Sequence, residues 1–311
     1  MAPPDPSEIE KEIPAVFVMI SGSEDKQTSA DVSNVGSFQL PDPKGKAGGA
    51  CTSTLLKVLN ETNNNPGSWI DLLHKMRGVL RQKGFDQVPQ LSSSRLLDVN
   101  HKFEIIPESS IGVGTRRAVL IGINYVGQQG ALSGCHNDVK NIKSYLIKHQ
   151  GFVEKDMLIL MDDGHHHQPT KQNIMNAFDR ITQYSKAGDV VFIHYSGHGG
   201  RVVDTSGDED DGYDETLIPV DFKRAGQIID DDLYKHLVKR VPKGVRVTVL
   251  MDCCHSGTCL DLPYEINATQ TKMSLNQGFN MSLLNDPAAM ACCALCIYCL
   301  LDDILSGLFD Q

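Results

Sequence analysis

The sequence predicts an α/β fold in which a doubly wound, mostly parallel β-sheet carries helices on both faces. Short runs of apolar and β-branched residues alternate with longer segments whose apolar residues recur at helical spacing. The runs are nearly continuous in hydrophobicity, as expected for parallel strands that are buried on both sides. Strand alternating with helix is the pattern of a parallel sheet with helices packed against it.

Six apolar runs are predicted as strands, and five segments between them are predicted as helices. The predicted strands are residues 15–20, 103–106, 118–123, 157–161, 189–195 and 247–251. The predicted helices are residues 50–61, 68–84, 136–150, 171–183 and 231–241. Glycine and serine in residues 108–117 indicate a linker between an N-terminal and a central part. Beyond about residue 263 the periodicity is lost, which favours a surface segment.

Composition narrows the class of protein. A chain of 311 residues suits either one large α/β domain with appendages or two domains. A formal net charge of -10 argues against a nucleic-acid binder, which would carry a basic face. The sequence contains neither an export signal at its N-terminus nor an apolar window of about 18 residues. We therefore expect a cytoplasmic protein with no stable membrane insertion.

The stretch VLMDCCHSGT at 249–258 follows a predicted strand and contains two neighbouring cysteines. Sites in open parallel sheets form at the carboxyl ends of the strands. Side chains alternate along a strand, so Asp252 and Cys254 project to one side, while Cys253 projects to the other side with Met251. Cys254 is therefore the first candidate for a nucleophile.

A second polar stretch, HYSGHGG at 194–200, also follows a predicted strand. His198 lies beyond the apolar run between two glycines, whereas His194 lies within the run and is predicted as a core histidine. A nearby imidazolium lowers the pKa of a thiol and gives a nucleophilic thiolate at neutral pH. His198 and Cys254 are candidates for such a pair, but spacing in the sequence does not establish contact between them.

Taken together, these motifs resemble those of a known family. HYSGHGG followed by DCCHSG is similar to the histidine and cysteine motifs of the caspase-like clan of cysteine proteases. GCHND at 134–138 and DGYDETLIPVD at 211–221 narrow the resemblance to metacaspases, and the match covers most of residues 14–263. It implies a caspase-like fold and peptide hydrolysis through an acyl-enzyme. Cys254 would be the nucleophile, His198 the general acid and base, and the backbone amides of Gly199 and Cys254 the oxyanion hole.

The order of these motifs along the chain resembles that of the type III metacaspases of algae. Residues 20–31, ISGSEDKQTSAD, are similar to a signature that ordinarily follows the catalytic portion, with Ser23 where cysteine is usual. The resemblance implies an N-terminal tail (1–13), a small-subunit-like portion (14–107), a linker (108–115), a large catalytic portion (116–263) and a flexible C-terminal extension (264–311). It also implies roles in stress responses and programmed cell death.

The resemblance further implies cleavage after arginine or lysine. The pocket residues of the family correspond here to Cys135, Asp138, Ser196 and Asp252. A cationic side chain that enters a partly dry pocket needs a carboxylate partner, because an unpaired buried charge is costly. The alternative for Asp138 is an acid at a helix N-terminus, worth under about 1 kcal/mol. Asp25 and Asp31 are further candidates for the same pocket.

Four aspartates correspond to the calcium ligands of calcium-activated metacaspases: Asp214, Asp230, Asp231 and Asp261. Calcium takes about 6–8 oxygen ligands, which can come from separate segments of a chain. The acidic run at 204–215 does not fit the glycine and glutamate positions of an EF-hand. Without the resemblance, the simplest interpretation of that run is a solvated loop.

Two other classes of function remain open at this point. One is a scaffold that keeps the fold without the activity. The other is a redox sensor in which Cys254 forms a disulfide with Cys253, Cys259 or Cys135, since low-pKa thiolates are readily oxidised. If the protein is a protease, its expected partners are protein or peptide substrates with arginine or lysine before the scissile bond, and we expect a monomer.

Overall fold

The computed structural model of the chain describes residues 5–22, 31–32, 47–204, 212–254, 256–266 and 272–276. Its strands are β1 (Val16–Ser21), β2 (Asp31–Val32), β3 (Gly48–Gly49), β4 (Gln90–Ser93), β5 (Arg116–Gly122), β6 (Met157–Met161), β7 (Val190–Ser196), β8 (Gly199–Val203), β9 (Tyr213–Leu217), β10 (Ile228–Ile229), β11 (Arg246–Asp252), β12 (Tyr264–Ile266) and β13 (Ser274–Leu275). Its α-helices are α1 (Pro6–Glu12), α2 (Ala50–Glu61), α3 (Trp69–Gln82), α4 (Cys135–Gln150), α5 (Lys171–Tyr184), α6 (Phe222–Ala225) and α7 (Asp230–Leu233).

An eight-stranded sheet runs through the molecule in the order β13-β12-β4-β1-β11-β7-β5-β6. The pairings β1–β11, β11–β7, β7–β5 and β5–β6 are parallel, and β4, β12 and β13 extend the sheet with antiparallel pairings. Helices α2, α3 and α4 pack on one face, and α5 and α7 pack on the other. The predicted doubly wound, mostly parallel fold is confirmed.

The N-terminal part of the chain completes the same sheet as the central part. β1 pairs with β11 from Val16 opposite Arg246 to Ser21 opposite Met251. These strands are far apart in the sequence, but they share hydrogen bonds and both hydrophobic cores. A parallel sheet needs its strands in place, not in a given chain order.

Strand β4 was not predicted, because its sequence QLSS is short and polar. The structure satisfies two hydroxyl groups of this buried segment, those of Ser93 and Ser94, with the backbone of β1. Ser93 Oγ donates to the Phe17 carbonyl at 2.9 Å, and Ser94 Oγ accepts from the Phe17 amide at 2.9 Å. Burying a hydroxyl that is hydrogen-bonded in this way costs little folding free energy compared with leaving it in water.

Three sequence predictions are corrected. Residues 103–106 do not form a strand. Their apolar character serves packing, since Phe103 lies edge-on to Trp69 with ring centroids 4.7 Å apart. The predicted helix 231–241 is instead the short α7 followed by a π-helical turn at Tyr234–Val238. The predicted extension from residue 264 begins inside the sheet, because β12 pairs with β4 and buries Ile266; residues 277–311 lie outside the described part.

Within the described ranges, no helix combines the length and the apolar character that crossing a membrane requires.

The buried His194 on β7 is predicted to make the folded chain sensitive to acid. Its Nε2 lies 3.2 Å from Thr52 Oγ1, and burial lowers the pKa of the imidazole from 6.5 to about 3. The folded chain keeps His194 neutral, whereas the unfolded chain takes up a proton below about pH 6.5. Stability is therefore lost as the pH falls from about 6.5 towards 3, by up to about 1.4 kcal/mol per pH unit.

We expect His194→Gln to show a shallower loss of unfolding free energy between about pH 6.5 and pH 5, measured by urea denaturation. The exposed His74→Gln is the matched control and should keep the wild-type slope. Equal slopes for His194→Gln and wild type would contradict the assignment.

Candidate active site

Residues of the two polar motifs meet at the carboxyl edge of the parallel strands. Ser196 at the end of β7 is paired with Asp252 at the end of β11. His198 and Cys254 each lie two residues beyond this pair, on the same edge of the sheet. The backbone of Gly199 contacts the Cys254 carbonyl so closely that a methyl group there would lie 3.0 Å from the carbonyl carbon. The sheet register therefore brings the histidine and cysteine segments together.

The two neighbouring cysteines have different surroundings. Cys253 is 1% exposed and lies in the same core as Met251, on the side that strand alternation predicts. Burial raises the pKa of its thiol well above the usual value, and the nearby Cys254 and Asp252 add to this effect. Cys254 is partly exposed. Of the two thiols, that of Cys254 is accessible to a substrate.

The ring of His198 is oriented by a backbone carbonyl. Its Nε2 lies 2.6 Å from the Gly130 oxygen, and its ring lies 4.7 Å, centroid to centroid, from the ring of Tyr125. A carbonyl oxygen can only accept a hydrogen bond, so Nε2 carries the proton in the neutral ring. Nδ1 is then the basic nitrogen, available to take a proton from a thiol.

Two tyrosines hold the backbone of His198, and sequence reasoning did not identify either. The His198 amide donates to Tyr125 Oη at 2.9 Å, and Tyr195 Oη donates to the His198 carbonyl at 2.8 Å. Tyr125 Oη in turn donates to the Ile218 carbonyl at 2.7 Å. Burial raises the pKa of both phenols, which keeps them protonated and able to donate. The signals in the sequence were the position of Tyr195 within HYSGHGG and that of Tyr125 just beyond β5.

The predicted pocket residues also come together, and they are nearly buried. Ser196 Oγ donates to Asp138 Oδ2 at 2.8 Å, and the exposed fractions of Asp138 and Asp252 are 1% and 4%. Cys135 begins α4, where its amide donates to Asn124 Oδ1 at 3.0 Å. The Ser196 hydroxyl and the two carboxylates therefore lie close together around Gly49, and Cys135 lies on the same helix as Asp138. Asp25 lies outside the described residues, and of Asp31 the structure describes only the backbone, which pairs with Gly49.

The predicted calcium ligands lie beside this edge, on a second, three-stranded sheet and the loops around it. Asp214 on β9 and Asp230 at the start of α7 are both buried. Burial, together with the charges of Glu215 and Asp214, raises the pKa of Asp230 to about 8, although two backbone amides donate to its carboxylate. These crowded carboxylates fit a hard cation that takes oxygen ligands, such as calcium.

The structure does not gather all four aspartates around one point. The Asp231 carboxylate accepts from Lys235 Nζ at 2.7 Å, and Asp261 lies in a tight loop with a positive φ of 46°. Among the described residues, no three side chains of the types His, Cys, Asp and Glu are arranged to hold a metal ion. The chemistry of the ligand set fits calcium, but the lysine pairing of Asp231 would have to give way.

Comparison with known proteins gives consistent similarities. The family described as metacaspase, peptidase C14 domain, matches residues 116–263, and the caspase domain family matches residues 3–101. The chain is 54% identical over 273 residues to Metacaspase III c of Phaeodactylum tricornutum, covering 86% of this chain and 80% of that one. It is 52% identical over 153 residues to Metacaspase-1A of Neurospora crassa, covering 49% of this chain and only 34% of the fungal protein. A crystal structure of a Geobacter sulfurreducens protein is 31% identical and covers 55% of this chain and 62% of its own, but its TM-score of 0.38 is too low to inform the fold.

Tyr125→Phe is predicted to slow turnover with little change in substrate binding. The substitution removes the acceptor of the His198 amide and the donor to Ile218, so the imidazole is held less firmly. The loss of hydrogen bonds of this kind corresponds to about a tenfold decrease in kcat. Steady-state kinetics on a fluorogenic peptide measures the effect.

The control is Tyr145→Phe on α4, whose hydroxyl bonds to Gln150 away from the site. It should leave kcat at the wild-type value. A Tyr125→Phe enzyme with wild-type kcat would show that the tyrosine does not position the imidazole.

Proposed function

The chain belongs to the metacaspase family of cysteine peptidases, in its type III arrangement, and we propose from this that it is a calcium-dependent endopeptidase that cleaves after arginine or lysine. The observation that carries the proposal is the pairing of Ser196 with Asp252, which brings the His198 and Cys254 segments to one edge. The partial exposure of Cys254 and the orientation of His198 by Gly130 support a Cys/His dyad.

The proposed mechanism has two stages. The Cys254 thiol transfers its proton to His198 Nδ1, and the thiolate attacks the carbonyl carbon of the scissile peptide bond. The backbone amides of Gly199 and Cys254 stabilise the oxyanion, His198 protonates the departing amine, and a thioester to Cys254 remains. His198 then removes a proton from water, which attacks the thioester, releases the acid product and restores the thiol.

Specificity for a cationic side chain follows from the charge of the pocket. Asp138 and Asp252 are two buried carboxylates beside the nucleophile, and Cys135 and Ser196 complete the proposed pocket. A guanidinium or ammonium group would neutralise these charges, whereas an aspartate side chain would be repelled. This supports protein or peptide substrates with arginine or lysine before the scissile bond.

The proposed small portion (14–107) and large portion (116–263) act as one catalytic unit, because β1 and β11 pair within a single sheet. Both portions come from the same chain, so a second copy is not needed to complete the site, and we propose a monomer. A reducing compartment such as the cytoplasm suits a reaction that depends on a reduced Cys254 thiol.

Calcium would be held by Asp214, Asp230, Asp231 and Asp261. When bound, it would supply positive charge to carboxylates that otherwise repel one another. The three-stranded sheet that carries Asp214 begins at Gly199, and Thr258 Oγ1, in the loop after Cys254, donates to Glu215 Oε2 at 2.8 Å. These connections link the acidic cluster to the loops beside the dyad, which supports calcium as an activator.

The nucleophile is tested with peptides ending in arginine, lysine or aspartate before a fluorogenic group. We expect cleavage after arginine and lysine but not aspartate, and a decrease of at least about a thousandfold in Cys254→Ala, the size seen when a nucleophile is removed. Cys253→Ala should keep most of the activity, since its thiol lies in the core. A folded wild-type chain that cleaves none of the peptides would favour the scaffold alternative.

Calcium dependence is tested with Asp230→Asn. Removing this ligand should raise the calcium concentration for half-maximal activity at least about tenfold, the effect of losing about 1.4 kcal/mol of binding free energy. Calorimetric titration with calcium should show the same shift without reference to activity.

The matched control is Asp232→Asn, the last of the three acids in the same run, which pairs instead with Lys171. It should bind calcium as wild type does. Full activity of the wild type in excess chelator would contradict the calcium proposal.

A further inference from the structure

Two backbone amides from the N-terminal portion bind the two carboxylates of the proposed pocket. The Gly49 amide donates to Asp138 Oδ2 at 2.8 Å, and the Thr52 amide donates to Asp252 Oδ2 at 2.7 Å. The partners are 89 and 200 residues apart in the sequence. One short segment, residues 49–52, therefore holds both carboxylates of the catalytic portion.

Glycine is required at position 49 because a side chain would not fit there, and not because of the backbone conformation. Its φ of -70° and ψ of 143° are open to any residue. A methyl group at this position would lie 2.6 Å from Asp252 Cγ and 3.0 Å from Asp138 Oδ2. Any side chain at residue 49 would therefore push the two carboxylates out of their present positions.

The first turn of α2 strengthens this arrangement. Amides at the start of a helix have no partner within the helix, and the helix dipole favours negative charge there. The Thr52 amide is such a donor, and Asp252 is its acceptor. The adjacent Cys51 is affected by the same charges, because burial raises the pKa of its thiol and Asp252 and Asp138 add to this effect.

We infer that Gly49 and the first turn of α2 are positioning elements that set the separation of Asp138 and Asp252, and thereby the preference for arginine over lysine. The inference rests on the proposed function. A guanidinium is a planar fork that needs carboxylate oxygens at fixed positions, whereas an ammonium is a compact point charge that tolerates displacement. Displaced carboxylates should therefore cost arginine substrates more than lysine substrates.

The test compares kcat and KM of wild type and Gly49→Ala on peptides that differ only in arginine or lysine before the scissile bond. We expect kcat/KM for the arginine peptide to fall at least about tenfold, the size of one charge-assisted hydrogen bond, and mainly through KM. The kcat/KM for the lysine peptide should fall only a few-fold, so the ratio of kcat/KM for arginine to that for lysine decreases. A general loss of folded enzyme would lower kcat/KM for both peptides by the same factor.

The matched control is Gly78→Ala in the middle of α3, where a methyl group meets nothing within 4 Å. It should keep the wild-type ratio. In an Asp252→Asn background, Gly49→Ala should change the ratio less than in wild type, because the two substitutions act on the same carboxylate. Thermal denaturation of each variant establishes that it is folded.

Two results would overturn the inference. One is a folded Gly49→Ala enzyme with the wild-type ratio and KM. If Gly49→Ala does not fold, Ser196→Ala takes its place, since it removes another donor to the same Asp138 oxygen. The second overturning result is then a Ser196→Ala enzyme with the wild-type ratio of kcat/KM between the arginine and lysine peptides. Failure of the proposed function has a different signature, namely a wild-type chain that cleaves neither peptide.

Discussion

Parallel hydrogen bonding between β7 and β11 holds Ser196 opposite Asp252, and the active site is built outward from this pair. His198 and Cys254 lie two residues beyond the ends of these strands. The pair itself lies in the proposed pocket, so the same register that brings the His198 and Cys254 segments together also places a carboxylate beside them. A shift of one residue would turn every side chain of either strand to the opposite face, exchanging Cys253 for Cys254 and burying the proposed nucleophile.

The position of the N-terminal portion follows from the same sheet. β1 pairs along β11, and Gly49 and Thr52 of the same N-terminal portion donate to carboxylates of the catalytic portion. Buried carboxylates are tolerated only when donors or cations satisfy them. The backbone amides of one portion thus stabilise the charges of the other, which ties assembly of the sheet to formation of the pocket.

Around the proposed dyad, most of the hydrogen bonds that hold His198 involve a backbone group. A carbonyl at Gly130 orients the imidazole, and two phenols hold the main chain on either side of His198. The strand that begins at Gly199 leads directly into the sheet that carries Asp214 and lies beside Asp230. One strand therefore connects that acidic cluster with the segment that is proposed to stabilise the oxyanion.

The sequence by itself determined the parallel sheet, the edge at which the histidine and cysteine motifs lie and the side of β11 on which Cys253 is buried, because hydrophobic runs and the two-residue period of a strand are properties of side-chain order. It did not reveal β4, a short polar strand that is held between β1 and β12 in the folded sheet, and it misassigned residues 103–106, whose apolar side chains pack without forming a strand. Only the tertiary structure decided the roles of Gly130, Gly49 and Thr52. Every residue except proline carries the same amide and carbonyl, so a backbone donor or acceptor leaves no trace in the sequence until folding brings it to its partner.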